Sequence, residues 1–311
     1  MKNKIQHSSI VTRWFSGVIS NKKALAGSCI ILFFVFIAII GPFLIQSPTE
    51  FLGTPLSPPS NKYLFGTNGQ GQDVFSQTIS GARQTLFVGF SAGILVVLIG
   101  ALIGGIAGYY GGRTDDLLSL IINIFLVMPG LPLMVILASW LPPGPGTLLG
   151  VLVLTGWAWN ARVIRSQMMT FRNRDFVSAA IVSGEKNIRI IIIEIMPRML
   201  SLLASMFIGS SIYAIGAQVG LEFLGLGDIS RVTWGTNLYW ASNDLALLTE
   251  SWWTFVPTGL SIAVVSFSLT LINFGIDEVT NPRLVSERLW REKIPKKNIS
   301  NGITPVLKSH E

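Results

Sequence analysis

The sequence predicts an all-α fold, a polytopic membrane bundle of six transmembrane helices, on three observations. Half of the 311 residues are hydrophobic and only 13% are charged, about half the charge of an average soluble domain. The few charges avoid five long runs, 24–49, 86–112, 117–161, 200–221 and 251–276. Each run exceeds the roughly 20 mainly apolar residues that cross a bilayer core. Finally, Lys and Arg fall on one side of the spans so defined. This composition excludes a disordered chain and argues against an ordinary soluble enzyme.

The elements follow in order. In the N-terminal segment 1–23, Ile10, Val11, Trp14, Phe15 and Val18 share one helical face beside polar and basic residues, which predicts an interfacial helix. The first span, 24–46, follows basic residues as a signal peptide would. However, Ala24 to Ile45 is longer than an h-region of about 7–15 residues, and Gly41-Pro42-Phe43 is no small-x-small cleavage site. It is read as a retained anchor. Cys29, the only cysteine, lies within it.

An external loop, 47–85, leads to span two, 86–111, whose Gly100, Gly104, Gly108 and Gly112 recur every four residues. Such a stripe lets another helix approach closely, either inside the bundle or beside a moving pathway, and makes Gly104 and Gly108 pathway or gate candidates. Span three, 117–141, contains Pro129 and Pro132, which break it where backbone groups need protein or water partners. Both are pathway candidates, with a structural kink as the alternative. Leu141-Pro142-Pro143-Gly144-Pro145-Gly146 then turns the chain into span four, 147–166. A charged loop, 168–198, precedes span five, 199–224, and span six, 255–276. The core of the bundle is thus 86–284, and 285–311 is a basic tail.

With six spans, 20 of the 23 Lys and Arg lie on one side, leaving Lys62, Arg83 and Arg231 on the other. The positive-inside rule puts both termini in the cytoplasm of a cell with this chain in its inner membrane. The net charge of +7 is then explained by anionic lipid, with no nucleic-acid partner.

Ionisable groups within the spans are scarce. Glu222 and Gln218, one helical turn apart near the outer end of span five, are the best pathway candidates, with Arg83 at the mouth of span two. An ion-coupled secondary carrier places carboxylates or histidines near mid-bilayer, whereas His7 and His310 are both terminal. The spans hold no nucleophile–histidine pair and no His/Glu metal box, so neither a catalytic nor a metal site is expected. A phosphate loop is also missing, since Gly184-Glu185-Lys186 lacks the upstream glycine. The energy source is expected on another subunit.

The loop between spans four and five supplies a docking device. Asp175 is placed to cap a short helix whose Ala179 and Ala180 leave its surface free of bulk, and Gly184 is placed to end it. Such a helix fits a groove on a cytoplasmic protein. Ala179-Ala180, Gly184 and Pro197 here resemble the EAA loop of ABC importer permeases. The segment Gly66-Thr67-Asn68-Gly69-Gln70-Gly71-Gln72-Asp73 with Ser80-Gly81-Ala82-Arg83 resembles the peptide/nickel branch of that family. So do Ala107 to Gly112, Phe223 to Gly227, Trp234-Gly235-Thr236 and Asn281-Pro282-Arg283. The likeness runs in order over about residues 64–284, as in the second permease of a pair.

The resemblance implies an ABC type I importer permease that imports di- or oligopeptides, with oligosaccharide or nickel as alternative cargo. It implies a homologous permease, two ABC ATPase subunits and an extracytoplasmic substrate-binding protein as partners. No cofactor is bound by this chain, ATP and Mg belonging to the ATPases. Coupling falls to Asp175, Ala179, Ala180, Gly184, Glu185 and Pro197, and the binding-protein side to Asp73, Arg83, Trp234, Tyr239 and Trp240. There are departures. Ser178 stands where the loop usually has Glu, and Asn68, Gln72 and Gln77 stand where an acid and two arginines are common.

Overall fold

A computed structural model describes residues 21–280. The expected interfacial helix at 10–19, the Asn281-Pro282-Arg283 motif and the basic tail lie outside the described residues. The described chain is helical throughout its regular structure, apart from one isolated bridge between Thr67 and Asp73.

Helix α1, Lys22–Leu44, starts where the Asn21 side chain accepts from the backbone N–H groups of Lys23 and Ala24, satisfying two of the orphan donors of a helix start. It packs against the last helix, α9, Val256–Thr280. Gly275 leaves room there for Ala24, whose Cβ is 2.4 Å from the place a side chain would occupy.

Helix α2, Val74–Tyr110, has 37 residues and is about 55 Å long at 1.5 Å per residue. It begins well before the apolar run that defined span two. Asp73 sets that start by accepting from the Ser76 N–H at 3.0 Å, and hydropathy cannot see a helix that extends beyond the membrane.

Span three is broken more severely than a kink. Helix α3, Gly112–Val127, and helix α4, Gly130–Trp140, meet at 85°. A residue before proline is driven out of the helical region, and Met128, preceding Pro129, is extended at φ −67° and ψ 132°. Pro132 falls in the first turn of α4, where no intrahelical N–H is required. Neither half, at 16 and 11 residues, has the length to cross alone.

Helix α5, Pro145–Arg172, opens with proline in its first turn, where the ring's fixed φ suits a helix start. It continues past the expected end of span four. The short α6, Asp175–Val182, precedes the long run α7, Asn187–Phe223. Within α7 the segment Ile190–Ile195 winds as π-helix and Met196–Met199 as 3-10 helix. Helix α8, Trp234–Asn243, lies in the connection between α7 and α9.

Helix α2 is the hub, and its glycines decide what touches it. A Cβ at Gly89 would lie 2.3 Å from Ile215 Cγ1, and one at Gly93 2.3 Å from Ser211 Oγ, so α7 packs there. At Gly104 and Gly108 a Cβ would lie 2.2 and 2.5 Å from the carbonyl oxygens of Ala161 and Arg165 on α5. Gly100, Gly104 and Gly108 therefore seat α5 against α2, which is the packing use of such a stripe, whereas Gly112, its fourth member, opens α3 and would meet nothing within 4 Å.

Candidate functional site

The end of the bundle bearing α6 is built around one anchor. Val177 is fully buried in a cluster with Ile164 and Met168 of α5 and Ile190, Ile195 and Met199 of α7. Its neighbours on the outward face, Ser178, Ala179, Ile181 and Val182, are exposed. Asp175 does not cap the helix. The Arg174 carbonyl accepts from Val177 and Ser178, so the helix starts one residue earlier and Asp175 sits in its first turn, where its charge favours the helix dipole.

The far end of α6 closes as a Schellman motif. Gly184 has φ +77°, its N–H donates to Ile181 O at 3.0 Å, and the Glu185 N–H donates to Ala180 O at 3.1 Å. Nothing lies within 4 Å of a Cβ built at Gly184, so the turn is open to an outside partner. Glu185 pairs with Arg189. Pro197 lies in the 3-10 turn, and the guanidinium of its neighbour Arg198 stacks 3.7 Å over the Phe176 ring.

Between α2, α5 and α7 lies a cavity of about 530 Å³. Its polar lining comes from Thr155, Trp159 and Asn160 of α5 with Ser205, Ser210 and Tyr213 of α7. Asn160 Nδ2 donates to Ser210 Oγ at 2.8 Å, and the lining carries no charged side chain. A continuous exposed strip of α7 runs outward from it through Gly209, Tyr213, Gly216 and Gly220. Sequence reasoning missed this site because it searched the spans for ionisable groups. The available signal was polar side chains inside charge-free runs, Thr155 and Asn160 in one and Ser205 and Ser210 in another.

None of the pathway candidates named from sequence lines that cavity. Gly104 and Gly108 face α5, as described. Pro129 and Pro132 are exposed at the break between α3 and α4. Gln218 and Glu222 are buried at the opposite end from α6, where Glu222 is a clamp. Its carboxylate accepts from Gln218 Nε2 at 3.0 Å and from the Thr233 hydroxyl at 2.6 Å, while Gly227 and Gly235 have no side chain to displace it.

That α8 end also redefines the aromatic loop. Trp234 is fully buried in the core, its indole N–H donating to Thr78 O at 2.9 Å and its ring meeting Phe34 edge to face at 6.0 Å. It is neither a stacking platform nor an interfacial belt residue. Tyr239 and Trp240 pack edge to face at 5.3 Å, and Trp240 Nε1 donates to Ile229 O at 3.2 Å. Arg83 is exposed in a groove with Ser80, Gln84 and Arg231.

The three departures around the start of α2, Asn68, Gln72 and Gln77, meet in space. Asn68 Nδ2 donates to Gln72 Oε1 at 3.0 Å and to Gln77 Oε1 at 3.3 Å, and Gln77 Nε2 donates to Gln72 Oε1 at 2.6 Å. Nearby, the Gly69 N–H donates to Asp244 Oδ2 at 3.0 Å, and burial holds the Asp244 carboxyl above the usual carboxylate range.

Comparison with known proteins places this architecture. Residues 100–285 match the family model described as binding-protein-dependent transport system inner membrane component. Residues 18–59 match the N-terminal TM domain of oligopeptide transport permease C. The chain is 35% identical over 270 residues to the dipeptide transport system permease protein of Bacillus subtilis (strain 168), covering 85% of this chain and 83% of that protein. It is 34% identical over 271 residues to the oligopeptide transport system permease protein of the same organism, covering 85% and 87%. A third relative, the oligopeptide transport system permease protein of Lactococcus lactis subsp. lactis (strain IL1403), is 28% identical over 80% of this chain and 86% of its own length. With most of its spans inside the family match and a multi-pass helical bundle to carry them, the chain belongs to the binding-protein-dependent transport system inner membrane components.

Proposed function

We propose that this chain is one of two homologous permease subunits of an ATP-driven importer of di- and oligopeptides. Both termini are cytoplasmic, which makes the α6 end the inner one and the α8 end the outer one. Two ATPase subunits, which bind the ATP and Mg, dock at the α6 end. A substrate-binding protein delivers cargo at the α8 end. The names of the peptide-permease relatives support peptide as cargo. The oligosaccharide reading leaned on a free aromatic loop, and Trp234 and Trp240 are occupied by the protein itself.

One observation carries the coupling role. Helix α6 presents an exposed outward face of Ser178, Ala179, Ile181 and Val182 while Val177 locks its inward face to both α5 and α7. A displacement of α6 by closing ATPases is thus transmitted to the two helices that supply the polar walls of the cavity. Those walls offer neutral hydrogen-bonding groups, which suit transient passage of a peptide backbone better than tight capture. The Arg165–Asp115 pair extends the linkage from α5 to α3.

Replacing Gly184 with Trp tests this reading. A left-handed backbone disfavours any side chain by roughly 1–2 kcal/mol, and the open space around it would be filled by bulk. The expected result is loss of peptide uptake in reconstituted vesicles together with weaker co-purification of the ATPase subunits. Unchanged uptake with unchanged co-purification would falsify the coupling role.

A further inference from the structure

Two grooves of the bundle follow one another along α2 and α5, and together they have the form of a lipid. At the α8 end a groove of about 490 Å³ is lined by Arg83, Arg231, Gln84 and Ser80. Arg83 forms no ion pair among the described residues. Arg231 commits its Nε to Asp228 at 3.1 Å and keeps two further amino groups. Two of the three cations on this side of the chain thus converge on one groove.

Pro145, the first residue of α5, forms another part of its wall. That helix start has no acidic residue in its first turn and no side-chain cap, so its dipole adds positive potential to that of the arginines.

Directly beneath, a second groove of about 600 Å³ runs between α2, α3 and α5. Gly146, Gly150 and Trp157 of α5 line it together with Leu95 and Ile99 of α2. Pro145 belongs to the cationic groove and Gly146 to the apolar one, so the two grooves are neighbours at the start of α5. From Gly146 to Trp157 the helix rises about 16 Å, close to one leaflet of a hydrocarbon core about 30 Å thick. A Cβ at either glycine would meet nothing within 4 Å, so the protein leaves the channel unfilled. The α2 residues flanking it, Leu98 and Leu102, are exposed and apolar, as on a lipid-facing surface.

We infer that this surface is a binding site for a phospholipid of the α8-side leaflet. Its phosphate sits between Arg83 and Arg231 and one acyl chain lies along Gly146 and Gly150 toward Trp157. A free phosphate satisfies only the upper groove, and a neighbouring helix only the lower. A phosphodiester joined to an acyl chain satisfies both. The site is independent of cargo and of the ATPase contacts.

The test uses the intact complex with its partner subunits, stripped of lipid in detergent and then offered phosphatidylglycerol, with bound lipid counted by native mass spectrometry. Arg83→Gln and Arg231→Gln should each lower retention roughly fivefold, the scale of one basic side chain at a membrane surface. Gly150→Leu, which fills open space, should lower it without lowering the thermal stability of the complex. Diacylglycerol, with the same tails and no phosphate, should be retained far less, and inorganic phosphate should not compete. Equal retention by the double arginine variant, or by Gly150→Leu, overturns the site. A photoactivatable phosphatidylglycerol on the unmodified complex provides a check free of variants. It should label residues 83–87 and 146–157, and labelling confined to other regions overturns the proposal. So does efficient cross-linking of Gly150→Cys to the other permease, which would make the occupant a helix.

Discussion

Arg165 and Asp115 form a two-point ion pair, Nε and Nη2 of the guanidinium each meeting one carboxylate oxygen, the second at 2.6 Å. The pair binds the last third of α5 to the first turn of α3, just where the Gly104 and Gly108 contacts bring α2 against α5. Planar, bidentate geometry makes this the strongest class of side-chain bond, and the side chains are only 28% and 11% exposed. Asp115→Asn should destabilise the purified complex by about 2 kcal/mol, read as a lower thermal unfolding midpoint. A midpoint unchanged from the parent protein would show that the pair is not holding α3.

Glycines in this bundle are not equivalent. Gly104→Ala forces a methyl group onto the Ala161 carbonyl and should cost about 1–3 kcal/mol, as overpacking does. Gly259→Ala, with nothing within 4 Å, should be neutral or stabilise α9 by up to about 1 kcal/mol. Parallel thermal melts of the two variants separate close packing from mere helix propensity. Equal shifts in both would refute the seating of α5 on α2.

The buried amides Asn68, Gln72 and Gln77 are hydrogen-bonded to one another, so they should change together. Gln72→Arg alone places an unpaired cation where the residue is 7% exposed and should lower stability and yield. Adding Asn68→Asp restores a partner and should recover much of the loss, a coupling of roughly 1–3 kcal/mol in a double-mutant cycle. Additive effects would mean that the two positions do not interact.

Asp244 provides a pH signature. Burial raises its carboxyl pKa in the folded protein, so folding favours the protonated form. Stability from this group is gained as pH falls through the raised folded value toward the unfolded one, and is absent when the group is ionised in both states. Asp244→Asn, which keeps an acceptor for the Gly69 N–H without the charge, should therefore raise the unfolding midpoint at pH 7.5. The difference should fade toward pH 4. A constant difference across that range would assign the effect to packing instead.

Much of this architecture is legible in the linear order of residues. Charge-free runs locate the spans because burying an ionised side chain in hydrocarbon is too costly for sequence to disguise. Met128-Pro129 marks the break in span three because proline acts on its immediate neighbours. Gly184 marks the end of α6 for the same local reason. The start of α2 was less visible, since Val74 to Thr85 is helical by virtue of the Asp73 cap and of packing against Trp234, not of hydropathy.

By itself the sequence determined the helical class, the number and approximate limits of the spans, and a short helix closed at Gly184 between spans four and five, all consequences of local composition and short-range backbone chemistry. Only the tertiary structure decided what each special residue faces. It turned Trp234 from a surface aromatic into a core pin and Glu222 from a pathway acid into a clamp on Thr233. It set Gly104 and Gly108 against α5 and assembled a neutral polar cavity from Thr155, Asn160, Ser210 and Tyr213. The reason is physical. A helix presents every side chain to some direction at nearly the same local energy, and the choice among directions is made by partners on other elements, from eleven residues away for Glu222 and Thr233 to 156 for Trp234 and Thr78.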